Sequence, residues 1–467
     1  MAYRAGTNGC LRANGGTLPR GWCRLKAGLA AAGVFFTCLA AIGPQAARSA
    51  ELDAISKAAA EFHGGSPDTG MLYAQCLLTT IRNDVSFTVD GTTYVITGDI
   101  GAMWLRDASA QVRPYLFFAS DPSVRNMLRG VITREAKDIS IDPYANAFNR
   151  DYKVAEEKYE LDSLLYPIQL AWMYWKQTGD ATVFTPDVKS AYEKALALME
   201  LERDHSLSQY RHRELPNDGL GSPVAFTGMI WTGFRPSDDA ARYGYNIPDE
   251  MFAVVTLTEL AELESAVWQD AQKQEEVVAL RDGVASGINN FGIVYTPKYG
   301  YIYAYEVDGL GHSNLMDDAN VPSLLSIPYL GYAPANDPIY LNTRKFVLSA
   351  DNPYFYSGKV AQGVGSPHTP AGYIWPLALA IQGITSTDPN EVSAVLTELR
   401  ASDLGDHLLH ESFSVDDPTK YTRQNFGWPC ALFSELVLDR VMDQTPLPIA
   451  TFGGSKVNAV AQTAAIR

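Results

Sequence analysis

Apolar residues recur at helical spacing through most of the chain. Between residues 155 and 178 they fall three or four positions apart, and Gly179 ends the pattern. Similar apolar stripes with charged opposite faces predict further helices over residues 107–118, 122–138, 187–201, 249–268, 275–288, 371–384, 390–400 and 428–442, and on both sides of Met71. The spacing therefore predicts about a dozen helices.

Two short stretches depart from this pattern. Residues 86–97 are predicted to form a β-hairpin that turns at Asp90-Gly91, and residues 301–307 are predicted to form a lone strand. Long loops rich in aromatic residues, Gly and Pro join the helices, and long loops between regular elements tend to be functional. About a dozen helices joined in this way predict an all-α fold built as a double ring of helix pairs.

The first fifty residues predict an export signal. They carry basic residues and no acidic one, and an apolar run over residues 27–42 leads to a candidate cleavage site at Ala47-Arg48-Ser49. The alternative is a membrane anchor, although the run is shorter than the roughly 20 residues that span a bilayer. We therefore expect a cleaved signal peptide over residues 1–50 and export to the periplasm or the cell exterior. One large domain should follow over residues 51–445, with a loose tail over 446–467 and no later segment inserted in a membrane.

Composition narrows the possible partners. The chain of 467 residues has a formal net charge of −16, so it should repel nucleic acid, whose binding depends on Lys and Arg. Hydrophobic residues make up 46% of the chain, enough for a large core. Beyond residue 50 the cysteines are Cys76 and Cys430, whose spacing matches no metal site, and the sequence leaves open whether they pair.

Two segments place Arg and Asp close together where buried sequence is expected. Residues 97–107 end in Arg106-Asp107, which could equally be a structural pair at a helix start. Residues 233–239 contain Asp238 after Ser and Pro, a pattern typical of a helix N-terminus. A helix N-terminus and the nearby Arg235 would both lower the pKa of this carboxyl, whereas a general acid needs a raised pKa.

Two further regions carry candidate chemistry. Glu411 follows His410, and the loops at residues 306–309, 316–318, 352–353 and 365–369 could face a common cleft or could simply be turns. The chain has no His-x-x-x-His pair, phosphate-binding Gly loop or nucleophile elbow. Paired carboxylates in a helical chain with 11% aromatic residues point to glycoside hydrolysis.

These segments also resemble glycoside hydrolase family 125, the exo-α-1,6-mannosidases. The matching stretches are residues 97–107, 110–115, 142–146, 158–160, 162–164, 235–239, 306–311, 316–325, 328–332, 352–356 and 410–413. The resemblance implies an (α/α)6 barrel and a metal-independent, inverting enzyme without a cofactor. Its substrates would be glycans that end in α-1,6-linked mannose.

The same resemblance assigns roles to individual residues. It implies that Asp238 is the general acid and Glu411 the general base. The expected sugar contacts and pocket-wall residues are Arg106, Asp107, Arg235, Asn352, His368, Trp375 and His410. The implied carboxyl separation for inversion is roughly 6.5–9.5 Å, and the negative charge of Glu411 would help to keep Asp238 protonated.

Departures from the family pattern affect the leaving-group side of the expected cleft. The chain is shorter than expected between residues 149 and 159, carries Asp249-Glu250 where Ser-Asn is expected, and has Pro370-Ala371-Gly372 after His368. Two alternatives therefore stay open: an exo-glycosidase of other linkage or sugar specificity on the same barrel, and a glycan-binding protein without turnover.

Overall fold

The computed structural model describes residues 53–60, 62 and 67–455, and the predicted signal peptide lies outside these residues. Within them the chain forms thirteen α-helices. In chain order they are α1 Asp53–Ala60, α2 Pro67–Thr79, α3 Leu105–Val112, α4 Pro122–Ile141, α5 Leu161–Thr178, α6 Pro186–Glu202, α7 Ile247–Ala266, α8 Ala271–Phe291, α9 Ile327–Leu330, α10 Pro338–Val347, α11 Pro376–Thr385, α12 Pro389–Ala401 and α13 Gly427–Arg440.

The strands are short and form small antiparallel sheets in the loops. They are β1 Val85–Phe87, β2 Thr93–Val95, β3 Met103–Trp104, β4 Ala147–Phe148, β5 Val154–Glu156, β6 Tyr245–Asn246, β7 Ile293–Thr296, β8 Gly300–Tyr303, β9 Glu306–Val307, β10 Ser313–Asn314, β11 Phe355–Ser357, β12 Gln362–Val364, β13 Tyr373–Ile374, β14 Ser412–Ser414 and β15 Asp417–Thr422. Their orders are β1-β2, β3-β4-β5, β10-β9-β6, β7-β8, β11-β12 and β13-β14-β15.

Six helices close into an inner ring. Each packs against the next in the order α3, α5, α7, α9, α11 and α13, and α13 returns to α3. The outer helices α2, α4, α6, α8 and α12 pack against members of this ring, while α10 packs against β8. Every residue of α3 and most of α5, α7 and α13 are buried. This arrangement is the predicted (α/α)6 barrel, and the all-α fold is confirmed.

Four helices of the outer layer begin differently from four of the inner ring. The outer helices α4, α6, α10 and α12 start with an Asp or Thr side chain that caps the backbone, followed by Pro. The inner helices α3, α5, α11 and α13 have no side-chain cap, and the residues at their cap positions are Trp104, Glu160, Trp375 and Phe426. The cap positions of these four inner helices are therefore occupied by large or charged side chains that do not cap the helix backbone.

Most predicted elements are confirmed, with shifted ends. The hairpin over residues 86–97 is β1 paired with β2. The helix predicted from residue 155 begins only at Leu161, because residues 154–156 form β5. The helix predicted from residue 371 begins at Pro376, because residues 373–374 pair with β14. The lone strand predicted over residues 301–307 is wrong, since β8 pairs with β7, and β9 lies between β6 and β10.

The C-terminal segment over residues 446–455, which was expected to be loose, is held against the barrel. It has no helix or strand, but Leu447, Ile449 and Phe452 pack on the core. The Phe452 amide donates to the carbonyl of Gly331, and the Phe452 ring stacks on Tyr332. Apolar side chains and backbone hydrogen bonds thus anchor a stretch that has no periodic pattern.

Two further expectations concern membranes and cysteines. Within the described part of the chain, no helix combines the length and apolar character needed to cross a bilayer. Cys76 of α2 and Cys430 of α13 are buried free thiols on two helices that pack together.

Candidate active site

A cavity opens where the inner helices begin. The cavity is small, and charged and aromatic side chains line it. The lining residues are Thr97, Ile100, Trp104, Arg106, Asp107, Pro236, Ser237, Asp238, Asn320, His368, Trp375, Glu411, Arg423, Phe426 and Trp428. Three of the four large or charged residues at inner-helix cap positions, Trp104, Trp375 and Phe426, thus form part of the cavity wall.

Asp238 reaches the cavity from a tight turn. Its backbone has a φ of 63°, a left-handed conformation that Asp tolerates better than most residues. The turn is closed by the amide of Asp238 donating to the carbonyl of Arg235, and by a β-bridge between Phe234 and Ala240. No helix follows, so the helix N-terminus expected at this position is wrong and no helix dipole lowers the pKa of this carboxyl.

Arg106 is the basic centre of the site. Its Nη2 donates to Asp238 Oδ1 over 2.8 Å, and its Nη1 donates to Glu160 Oε2 over 2.8 Å. Asp162 and Asp107 lie 3.4 and 3.3 Å from the same guanidinium. Arg106 is thus a single positive charge beside four carboxyl groups. Because one cation cannot neutralise four carboxylates, repulsion among them favours the protonated form of some of these carboxyl groups.

Asp238 and Glu160 form a hydrogen-bonded carboxyl pair, and the pair divides its proton unequally. Burial raises the pKa of Asp238, but Arg106, the hydrogen bond with Glu160 and Lys158 together lower it below its ordinary value. Burial and then the charge of Asp238 raise the pKa of Glu160 well above its ordinary value, against the opposing charge of Arg106. The carboxyl that contacts Asp238 is therefore Glu160, whereas the sequence pointed to Glu411 as the charge that keeps Asp238 protonated.

Glu411 lies immediately before β14 and is 5% exposed. Its amide donates to the carbonyl of Arg423, and Arg423 Nη1 approaches Glu411 Oε1 to 3.5 Å. Asp99 accepts hydrogen bonds of 2.9 and 2.6 Å from Nε and Nη2 of the same arginine. Asp99 therefore holds the guanidinium that contacts Glu411.

Aromatic rings supply much of the remaining wall. The Trp375 indole donates to Thr369 Oγ1 over 2.9 Å, and its ring meets Phe426 edge to face. Phe426 also meets Trp428 edge to face. Flat rings set at right angles offer faces on which the C–H side of a sugar can stack.

Four buried polar atoms of the lining residues make no hydrogen bond with the protein. Two of them, Arg106 Nε and Asp107 Oδ2, face each other at 3.3 Å as an ion pair, and the other two are Thr97 Oγ1 and Trp104 Nε1. Buried polar groups are usually paired, so a polar ligand that bonds Thr97 Oγ1 and Trp104 Nε1 fits this cavity. Sugar hydroxyl groups both donate and accept, and so meet this demand.

Six of the predicted site residues meet at this cavity: Arg106, Asp107, Asp238, His368, Trp375 and Glu411. His368 Nδ1 lies 3.2 Å from Asp239 Oδ1, which together with nearby carboxylates raises the pKa of His368.

Arg235, Asn352 and His410, also expected at the pocket wall, are not among the lining residues. Arg235 is engaged by Glu306, with Nε to Oε1 at 2.6 Å and Nη2 to Oε2 at 3.0 Å. The side chain of Asn352 binds backbone groups of its own and a neighbouring loop, and His410 stacks on Tyr421 at 3.9 Å.

Sequence reasoning missed several residues of the site. These are Thr97, Trp104, Glu160, Asn320, Arg423, Phe426 and Trp428. Trp104 and Glu160 lie inside stretches that match the family, so membership of those stretches was a usable signal. Arg423 and Phe426 lie outside these stretches, and nothing in the sequence indicated that they belong to the site.

Among the described residues, no group of three or more His, Cys, Asp or Glu side chains is arranged to hold a metal ion.

The sequence is similar to that of known α-mannosidases. The family model described as metal-independent alpha-mannosidase matches residues 66–438. The meiotically up-regulated gene 157 protein of Schizosaccharomyces pombe is 37% identical over 420 residues, which cover 80% of this chain and 82% of the yeast protein.

Solved structures show the same likeness. A metal-independent α-mannosidase of Streptococcus pneumoniae, in a non-productive complex with α-1,6-mannobiose, is 43% identical. The match has a TM-score of 0.79 and covers 84% of this chain and 97% of that chain. A bacterial glucoamylase bound to acarbose is 14% identical with a TM-score of 0.56, over 80% of this chain and 56% of that chain, and so shares the fold.

Proposed function

Because this chain belongs to glycoside hydrolase family 125, we propose that it removes non-reducing terminal mannose from α-1,6-linked glycans with inversion at the anomeric carbon. The observation that carries this proposal is that Asp238 and Glu411 line one cavity with Arg106 and aromatic rings. The pneumococcal relative with bound α-1,6-mannobiose supports the choice of linkage.

The cavity supports action at a chain end. The cavity is small, and it suits one terminal sugar rather than a run of internal sugars. Thr97 Oγ1 and Trp104 Nε1, which make no hydrogen bond with the protein, would bond the hydroxyl groups of that sugar. Aromatic faces would carry its C–H surface.

In the proposed mechanism the two carboxyls work on opposite faces of the sugar. Asp238 gives a proton to the glycosidic oxygen as the bond to the anomeric carbon breaks, and Glu411 takes a proton from the water that attacks that carbon. The products are β-mannose and the shortened glycan. Arg106 stabilises the carboxylate that remains on Asp238, because it already donates to Oδ1.

An activity panel tests this proposal. The full chain would be incubated with α-1,6-, α-1,3- and α-1,2-mannobiose and with isomaltose, each with and without EDTA. The proposal requires that α-1,6-mannobiose is hydrolysed fastest and that EDTA has no effect. With α-1,6-mannotriose labelled at the reducing end, labelled mannobiose must appear before labelled mannose.

Other outcomes of the panel would redirect the assignment. Faster hydrolysis of isomaltose would make the chain a glucosidase on this barrel, since fold alone does not determine substrate. Binding of mannobiose without any hydrolysis would support the glycan-binding alternative, against which the presence of both carboxyls already argues.

Export is the second part of the proposal. The basic start, apolar run and small residues over residues 1–50 support a cleaved signal peptide. Expression of the full chain in a bacterium with a general secretory pathway, followed by N-terminal sequencing of the periplasmic fraction, tests it. A new N-terminus near residue 50 is expected. An uncleaved chain retained in the membrane fraction would instead support an anchor.

A further inference from the structure

Glu160 is the one carboxyl of the site that bonds the proposed acid yet does not line the cavity. It is 1% exposed and occupies the uncapped start of α5. Oε2 accepts from Arg106 over 2.8 Å and from Ser163 over 3.0 Å, while Oε1 accepts from Asn146 over 3.2 Å. A hydrogen bond also joins Glu160 to Asp238. Glu160 is therefore surrounded by protein groups, and its carboxyl does not contact the cavity in which the substrate would bind.

The geometry makes Arg106 a bridge between the two carboxyls. Its two terminal nitrogens each donate over 2.8 Å, one to Glu160 and one to Asp238. Two carboxyls in direct contact cannot both be ionised without a large cost, so such a pair retains one proton near neutral pH. A fork of two parallel N–H donors stabilises the pair both with the proton and after it has left.

We propose that Glu160 is a positioning residue that holds the catalytic proton for Asp238, so that the Glu160–Asp238 pair carries one proton in the resting site. This inference rests on the proposed function. The proton of Glu160 moves to Asp238 along their shared hydrogen bond, and Asp238 passes this same proton to the glycosidic oxygen as the bond to the anomeric carbon breaks. Both carboxyls then end ionised beside Arg106, while Glu411 has gained the proton of the attacking water. Return of that proton through solvent restores the pair.

This arrangement explains how an acid works beside an arginine. Arg106 and Lys158 lower the pKa of Asp238, so Asp238 alone would be ionised at neutral pH and unable to act as an acid. A buried neighbour with a raised pKa keeps the proton within one hydrogen bond of the site. The other charged or titratable groups facing the pair are Asp107 of α3, Asp162 of α5, Asp249 of α7, and His368 and Glu411 of the cavity wall.

The test compares the pH dependence of kcat/KM for wild type, Glu160→Gln and Glu160→Asp on α-1,6-mannobiose. The alkaline limb reports the proton of the free enzyme's acid. In wild type this limb should lie well above the pKa of an ordinary carboxyl, about 4. Glu160→Gln cannot hold an ionisable proton, so its limb should move at least about one pH unit toward acid, with a tenfold or greater loss at neutral pH. Glu160→Asp should keep the limb near its wild-type position.

Two controls separate proton supply from structural damage. Dinitrophenyl α-mannoside has a leaving group that needs no proton, so Glu160→Gln should hydrolyse it at the wild-type rate. A wild-type limb near pH 4, or the same limb in wild type and Glu160→Gln, would overturn the inference while leaving the proposed function intact. The wild-type limb decides the matter even where Glu160→Gln fails to fold.

An infrared measurement makes the inference independent of turnover. At neutral pH the wild-type spectrum should contain a protonated-carboxyl band that the Glu160→Gln spectrum lacks. Identical bands would show an ionised Glu160 and would overturn the inference. Inactivity of the wild type toward every mannoside would instead count against the proposed function, and the band would still report on the shared proton.

Discussion

Arg106 donates a hydrogen bond of 2.8 Å to Asp238 although the two residues lie 132 positions apart in the chain. Asp238 is on a turn before β6, whereas Arg106 is in the first turn of inner helix α3. The barrel brings them together because α3 begins at the cavity, with Trp104 rather than a capping side chain at its start. The proposed acid is thus oriented by the inner ring rather than by its sequence neighbours.

The role of Asp238 predicts a dependence on the leaving group. Asp238→Asn should reduce kcat on α-1,6-mannobiose about 10²–10⁴-fold, because the leaving oxygen is no longer protonated. Dinitrophenyl α-mannoside should lose far less, since its leaving group needs no acid. Steady-state kinetics on both substrates checks this, with exposed Asp151→Asn as the matched control. Equal losses on the two substrates would contradict the role of Asp238 as acid.

The role of Glu411 predicts rescue by an ionised nucleophile. Glu411→Gln should lose about 10²–10⁴-fold on both substrates, because water is no longer deprotonated. Azide attacks without a base, so adding it with dinitrophenyl α-mannoside should restore turnover and give β-mannosyl azide. NMR of the product identifies the anomer. An α-mannosyl azide would show attack on the other face and would argue against Glu411 as the base of an inverting enzyme.

Arg235 is expected to affect folding more than sugar binding. Its fork binds Glu306, which is completely buried, so Arg235→Met would leave an unpaired buried carboxylate and cost about 3–5 kcal/mol of unfolding free energy. Thermal unfolding measures the loss. Lys298→Met, which removes an exposed ion pair with Asp351, should leave the Tm close to that of the wild type. A normal Tm with a raised KM for mannobiose would restore Arg235 as a sugar contact.

The buried carboxyl of Asp84 should make the folded protein less stable as the pH rises, whereas most carboxyl groups make it less stable as the pH falls. Burial, aided by the charge of Asp99, raises the pKa of Asp84 to about 7, and neither side-chain oxygen has a hydrogen-bond partner. The folded chain therefore holds a proton that the unfolded chain releases near pH 4, so the unfolding free energy should fall between about pH 4 and 7. Above pH 7 the full loss, up to about 4 kcal/mol, is present.

Asp84→Asn removes this proton and isolates its effect. The difference in Tm between Asp84→Asn and wild type should become more positive from pH 5 to pH 8, whereas Asp151→Asn should show no such trend. Calorimetry at the two pH values measures it. A Tm difference that does not change with pH would mean that Asp84 keeps an ordinary pKa.

Local patterns predicted the barrel well because they follow from packing. Apolar stripes three and four residues apart mark the faces of helices such as α5 and α6, and Asp90-Gly91 marks a hairpin turn. Patterns were weaker where short strands precede a helix. The stretch before α5, residues 154–160, is rich in Glu and Lys, which favour a helix, yet β5 pairs with β4, and that pairing is set by tertiary contacts.

Site residues could be predicted from the sequence where they lie in stretches that match the family. Asp238 and Glu411 both line the cavity, but the hydrogen-bond partners of Asp238 could not be predicted from the residues next to it in the sequence. Adjacent Arg235 was the expected cation, whereas Arg106 occupies that role and Arg235 binds Glu306. Contacts between residues a hundred positions apart depend on how the inner ring closes, and sequence spacing does not encode that.

Inverting hydrolysis of terminal α-1,6-mannose can be observed by proton NMR of the full chain acting on α-1,6-mannobiose in EDTA, because the first anomer released is detected before mutarotation. An inverting enzyme releases β-mannose first, and this is the expected result. Initial α-mannose would instead mean a retaining reaction with Glu411 as a nucleophile and a carboxyl separation near 5 Å rather than roughly 6.5–9.5 Å, and inversion would be wrong.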